Sequence, residues 1–184
     1  MASRELGRRT LQNKRSKSYT KKSREQKMSE EMARLFLDQI YLEKEVEKLK
    51  CELSHRIDFT CRSAFNVFNF RGLEALTHAE FSEALFSFIG NSYYNREQSY
   101  LMFNRYDKDV DGRINYRDFC RMIVPSDRVL SSLLCGRSSE PQRVTLETQE
   151  VFKRLLRAHL NLEQAHEYLK QRLARSRGAE RWTL

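Results

Sequence analysis

Residues 107–118 read Asp-Lys-Asp-Val-Asp-Gly-Arg-Ile-Asn-Tyr-Arg-Asp, which gathers carboxylate and amide oxygens at alternate positions of one short run. Asp107, Asp109 and Asp111 lead it, Asn115 follows, Asp118 closes it, and Gly112 stands at its centre. Alternate residues of a tight loop converge their side-chain oxygens on one point, and glycine supplies the left-handed backbone of a sharp turn. A hard cation such as calcium needs about six to eight oxygens arranged in this way. Cation binding is therefore the chemistry this run suits. An isolated acidic repeat with a glycine is ordinarily a surface turn. Here Phe103 and Tyr106 precede the run and Phe119 and Met122 follow it, giving apolar faces to a helix on either side.

With that frame the run resembles the loop of the EF-hand, or calmodulin-like, calcium-binding superfamily. That loop carries oxygen ligands at positions 1, 3, 5, 9 and 12, a main-chain carbonyl at 7 and glycine at 6. The resemblance implies that Asp107, Asp109, Asp111, Arg113 (through its carbonyl), Asn115 and Asp118 hold the metal. It implies Ca2+ as the cofactor, with weak binding or Mg2+ as the alternatives. Asp118 stands where the family has Glu. One methylene less makes bidentate reach difficult and weakens calcium relative to magnesium. Arg105, Lys108, Arg113 and Arg117 add repulsion on the order of 1 kcal/mol or more for each cation within about 8 Å.

EF-hands come in pairs, and a shift of 38 residues upstream finds the partner's frame. Phe65 aligns with Phe103, Phe68 with Tyr106, Asn69 with Asp107, Leu76 with Ile114, Glu80 with Asp118 and Phe81 with Phe119. The loop from Asn69 to Glu80 departs from the pattern, with Arg71 at position 3, Leu73 at 5 and Glu74 in place of glycine. It reads as a structural partner without metal. Its Phe65, Phe68 and Phe70, with Phe81, Leu85, Phe86 and Phe88, are the candidate shared core. The run from Phe103 to Pro125 also looks like EF-hand proteins of ciliate and flagellate axonemes, some of which sit on doublet microtubules. That likeness implies a cytoskeletal role.

These residues need helices to position them. Six glycines and two prolines punctuate 184 residues, and alternating strand patterns are nearly absent, so the predicted class is all-α. Ser29 reads as an N-cap for an amphipathic, coiled-coil-like helix over 29–57. Met32, Leu35, Leu42, Val46, Leu49 and Leu53 recur along it at three- and four-residue steps, interrupted at Gln39. Asp58 fits either a new cap or the interior of a continuing helix. The EF-hand pair is expected over 58–124, a linker over 125–144, a C-terminal amphipathic helix over 145–177 and a tail over 178–184. Thr145 would cap the last helix. Val151, Leu155, Ala158, Leu162, Ala165 and Leu169 form its stripe, widened by Phe152, Leu156, Tyr168 and Leu173.

Charge is unevenly distributed. Residues 1–28 hold ten Lys/Arg against two Glu, a net of +8, and residues 170–184 carry +4. The body between them is left at −3 of a total of +9. The first segment lacks the apolar surface needed to offset its ordering entropy, so it is predicted to be a disordered basic arm when free. No run of 18 apolar residues could cross a membrane, and no apolar segment follows the basic start as in a secretory signal. Four scattered cysteines read as reduced, mainly buried thiols of an intracellular protein. His55, His78, His159 and His166 lack metal spacing and read as solvated or helix-surface residues. No nucleophile, phosphate-loop or zinc-protease motif is present, so the chain is predicted not to be an enzyme.

The expected function is that of a structural, calcium-binding component of the ciliary axoneme, in the cytoplasm and cytoskeleton. Its basic arms would lie on the acidic tubulin lattice beside other axonemal proteins, without membrane or small-molecule substrate. A soluble calmodulin-like sensor binding a target helix is the alternative. A nucleic-acid accessory protein is the lesser one, since charge suits it but the aromatic and helical features of a reading module are missing.

Overall fold

The computed structural model describes residues 2–90, 93–137 and 143–180, with side chains described over 25–90, 93–137 and 143–175. The fold is mostly helical. Its described residues form seven helices and one two-stranded sheet, in the order α1 (Ala2–His55), α2 (Cys61–Phe68), β1 (Ala75–Thr77), α3 (His78–Ile89), α4 (Arg96–Tyr106), β2 (Arg113–Asn115), α5 (Tyr116–Ile123), α6 (Arg128–Cys135) and α7 (Leu146–Glu180). The chain divides into two compact units, residues 39–168 and residues 1–38 with 169–184. In the second of these Arg172 pairs with Glu31.

The larger unit is built on a repeated pattern of helix, loop, short strand and helix. Each helix start is specified locally. Thr60 opens α2 with a reciprocal box, accepting from the Ser63 N–H while the Ser63 hydroxyl accepts from the Thr60 N–H. Thr77 and Glu80 do the same for α3. Asn95 caps α4 and Asn115 caps α5. The strands β1 and β2 pair antiparallel, with Ala75 opposite Asn115, Leu76 opposite Ile114 and Thr77 opposite Arg113. Leu76 and Ile114 are both buried.

The core gathers around Phe68. Its ring stacks on Phe81 at 5.2 Å and meets Phe119 at 5.1 Å and Phe152 of α7 at 6.3 Å. Phe152 also touches Phe59 and Phe88. The buried residues Val46, Leu49 and Leu53 of α1 join the same cluster, as do Leu155, Leu156, Leu160 and Leu162 of α7. Two of the expected core aromatics lie outside it. Phe70 is exposed beneath the Arg71 guanidinium, and Phe86 is exposed on the outer face of α3, edge-on to Tyr94. Phe70 sits in the loop after α2 ends, and Phe86 is turned off the helix face that carries Phe81, Leu85 and Ile89.

Several expectations are corrected. Helix α1 runs through the predicted basic arm and through Ser29, because residues 2–28 contain good helix formers, one glycine and no proline. The arm's side chains before Glu25 lie outside the described residues, as do Met1 and 181–184 of the tail. The predicted linker contains α6, capped by Asp127 on the Val129 and Leu130 N–H groups at 2.9 Å each. At eight residues between Pro125 and Gly136 it is too short to show a clear period. Arg137 beyond it donates to the carbonyls of Ser54, Arg56 and Phe59, which covers the C-terminal end of α1. Helix α1 therefore stops before α2. Thr145 caps α7, accepting from the Thr148 N–H at 3.3 Å, and Asp58 between α1 and α2 holds that cap, accepting from the Thr145 N–H and the Thr145 and Thr148 hydroxyls at 2.8 Å each.

Gln39, the break in the apolar seam, bonds across to His166 of α7 at 3.3 Å. His159 overturns the solvated reading of the histidines, since it is fully enclosed on the inner face of α7. Its Nε2–H donates to the Met122 carbonyl at 2.9 Å. Nδ1 is thus the acceptor for the Tyr106 hydroxyl at 3.2 Å. Burial pushes this imidazole down to about 3, so it is neutral at ordinary pH. The unfolded chain takes up a proton near pH 6.5 and the folded chain does not. This contribution to stability is complete above about pH 6.5 and declines, by about 1 kcal/mol per pH unit, as pH falls toward about 3. Urea unfolding of the parent and of His159→Phe between about pH 7 and 5 tests this. The variant is expected to be less stable overall, by about 1–3 kcal/mol, and to show a flatter pH dependence than the parent.

Candidate metal site

The loop between α4 and β2 is folded by its own acidic side chains. Asp107, at the end of α4, accepts from the Asp111 N–H at 3.2 Å through Oδ1 and from the Gly112 N–H at 2.9 Å through Oδ2. Asp111 accepts in turn from the Arg113 N–H at 2.8 Å. Gly112 takes φ +77°, a conformation that glycine enters without steric cost. Val110 also lies in the left-handed region, at φ +57°, and its side chain is exposed. For a β-branched residue this is strained, by on the order of 1–2 kcal/mol.

The result is that carboxylate oxygens of Asp107, Asp109 and Asp111 lie within 4.8 Å of one another. Oxygens around one calcium ion, each about 2.3–2.6 Å from it, are separated by no more than about 5 Å, so the spacing fits a hard cation. Asp107 is buried and the other two are exposed. Three like charges held this closely repel one another unless a cation lies between them.

The remaining predicted ligands lie on β2 and at the start of α5. Arg113 is exposed on β2, paired opposite Thr77. Asn115 turns its side-chain oxygen to the Asp118 N–H at 3.0 Å, as the cap of α5. Asp118 is 4% exposed in the first turn of α5. Its Oδ1 accepts from Arg121 at 2.7 Å, and its Oδ2 has no hydrogen-bond partner among the described residues. A buried, unpartnered carboxylate oxygen costs free energy unless something of opposite charge reaches it. Asp107, Asp109 and Asp111 converge, and Asp118 closes the loop with one oxygen uncommitted.

Arg121 is a further charged residue beside the candidate site, paired with Asp118. The four cations noted in the sequence lie before or within the loop, whereas Arg121 reaches Asp118 from one helical turn beyond it. The i, i+3 spacing was the available signal. It gives Asp118 a cation from within the chain.

The first loop also has a cation from within the chain. Asn69 bonds the Leu73 N–H at 2.7 Å and the Leu73 carbonyl at 2.5 Å, and Gly72 turns the chain at φ +69°. Arg71 reaches Glu80 and Glu83, each at 3.6 Å. Glu80 is held below the ordinary carboxylate value by the Thr77 N–H first, then the Thr77 hydroxyl, with Arg71 and Arg113 adding to the effect. Here an amide closes the turn and a guanidinium supplies the positive charge.

No family model, curated protein or solved structure matches the chain.

Removing the Arg121 charge should strengthen cation binding. By calorimetric titration, Arg121→Gln is expected to tighten Ca2+ binding several-fold. Asp118→Glu is expected to tighten it about tenfold and to widen the preference over Mg2+, because the longer side chain reaches the ion with both oxygens. Asp107→Asn should weaken binding by at least about tenfold. Unchanged affinities in all three would remove the loop as a cation site.

Proposed function

We propose that this chain is a non-enzymatic, divalent-cation-binding protein of the EF-hand type, with one cation-binding loop and one metal-free partner loop, working as a structural element. The observation that carries the reading is the convergence of Asp107, Asp109 and Asp111 within 4.8 Å on a loop whose strand pairs with that of a second, sequence-related loop. Asp107, Asp109, Asp111 and Asp118 would hold Ca2+, or Mg2+, with Arg113 and Asn115 completing the set that the resemblance implies. The ion would supply positive charge at the loop and tie α4 to α5.

A structural role is favoured over a sensor that opens to seize a target helix. The apolar face such a sensor would expose is occupied by the chain's own α1 and α7, through Leu49, Leu53, Phe152 and Leu156. Polar bonds reinforce that closure, including Arg157 to the Ile89 carbonyl at 3.2 Å and Arg105 to Glu163 at 3.1 Å. The axonemal assignment rests on the likeness of the run from Phe103 to Pro125 to ciliary EF-hand proteins. The +8 segment over 1–28 supports contact with an acidic lattice such as tubulin.

Two measurements test this. Co-sedimentation with microtubules should be salt-sensitive and should be lost on deleting residues 1–28; undiminished pelleting of the truncated protein would overturn the lattice contact. Calcium titration followed with a hydrophobic dye should leave fluorescence nearly constant, and a large calcium-dependent rise would favour the sensor instead.

A further inference from the structure

Helices α2, α5 and α6 each carry one cysteine. Cys61 opens α2 and is 5% exposed, Cys120 on α5 is half-buried, and Cys135 ends α6 exposed to solvent. All of the cysteines are unbridged. Packing around them holds α2 against α5. One turn along α2 from Cys61, the Phe65 ring meets Tyr116 edge-on at 5.4 Å and Phe119 at 5.3 Å. Tyr116 and Phe119 lie one turn and one residue before Cys120. Arg62, next to Cys61, covers the Tyr116 ring at 4.0 Å. On the other side Arg137, two residues past Cys135, donates to the Phe59 carbonyl at 2.8 Å, two residues before Cys61. Hydrogen bonding with Cys120 first, then burial, pushes the Cys61 thiol up, with Cys135 adding to the effect, as neighbouring sulfurs would.

We propose that Cys61 and Cys120 form an oxidation site, at which a peroxide joins the two thiols in a disulfide linking α2 to α5. Cys120 is the more exposed of the two and reacts first. Its sulfur takes one oxygen from the peroxide as the O–O bond breaks, giving a sulfenic acid and one water when the oxidant is hydrogen peroxide. The Cys61 sulfur then attacks that sulfur. The S–S bond forms, the S–O bond breaks, and the hydroxyl leaves as a second water with the Cys61 proton. Two thiols together lose two electrons and one peroxide gains them. Cys61 joins Cys120 rather than Cys135 because aromatic packing clamps α2 on α5, whereas Cys135 is the exposed last residue of its helix. The bond would connect the helix entering the first loop to the helix leaving the second.

Trypsin isolates the four cysteines on separate peptides, 51–56, 57–62, 118–121 and 129–137. The full-length protein is treated with a small excess of hydrogen peroxide, alkylated, digested and mapped by mass spectrometry. The expected product is peptide 57–62 joined to 118–121, two hydrogens lighter than their sum and lost on adding dithiothreitol. Cys120→Ser, with its helicity checked by circular dichroism, should abolish that product and leave Cys61 open to alkylation. A bond from 57–62 to 129–137, cross-linking only between molecules, or four alkylatable cysteines after peroxide would each overturn the proposal. The wild-type map is decisive even if the variant fails to fold.

Discussion

Two strands of three residues have too little area to pair in water by themselves, so the contact between β1 and β2 depends on what lies beneath it. Leu76 and Ile114, opposite each other, point into a core made by Phe68, Phe81 and Phe119. That burial holds the two loops side by side and sets the direction in which four helices leave them. The same strand fixes Arg113, and through it the end of the acidic loop, so the spacing of Asp107, Asp109 and Asp111 depends on an apolar contact. A charged site is thus positioned by hydrophobic pairing. The acidic side chains then finish the turn by accepting backbone N–H groups, which explains how they remain together despite their repulsion.

Around this centre the chain supplies its own cover. Phe152 reaches Phe59, Phe68 and Phe88, and His159 ties α7 to Tyr106 on α4 and to the Met122 carbonyl on α5. A neutral, doubly bonded imidazole in that position gives α7 one register, since sliding the helix would leave a buried carbonyl and hydroxyl unpaired. Asp58 fastens the start of α7, and Arg137 closes the end of α1. These polar fastenings lie at element ends, where backbone groups lack partners, and they make the apolar packing unique rather than merely favourable.

Charge is managed at two scales. Over the whole chain, the excess of Lys and Arg sits in the terminal segments and leaves the body slightly acidic. Within the body, single arginines stand next to acids: Arg71 by Glu80 and Glu83, and Arg121 by Asp118. These partly exposed pairs contribute little to stability on their own. Their effect is on what the carboxylates are available to bind. In the first loop the arginine and Asn69 leave no ligand set, while in the second the arginine takes one oxygen of Asp118 and leaves the other. In both loops an arginine supplies positive charge to the acid at the start of the following helix.

The sequence by itself determined the helical class, because scarce Gly and Pro and three- and four-residue apolar steps are local properties that act through backbone propensity. It also determined the convergence of Asp107, Asp109 and Asp111, since alternate residues of a glycine-turned loop have few other places to point. Helix α1 across the basic segment, and α6 inside the expected linker, were missed for a physical reason. Neither segment has high apolar content or a long period, while intrinsic helix preference and one Asp127 cap are sufficient to form the helices. Only the tertiary structure decided the rest. Which face of α7 is inside, and therefore that His159 is buried, depends on residues that lie far apart in sequence and meet only when the core closes. Arg121's hold on Asp118 and the packing of α2 on α5 are decided there too, because a side chain's partner is set by the packing of its helix. Local energies specified the elements, and burial chose their neighbours.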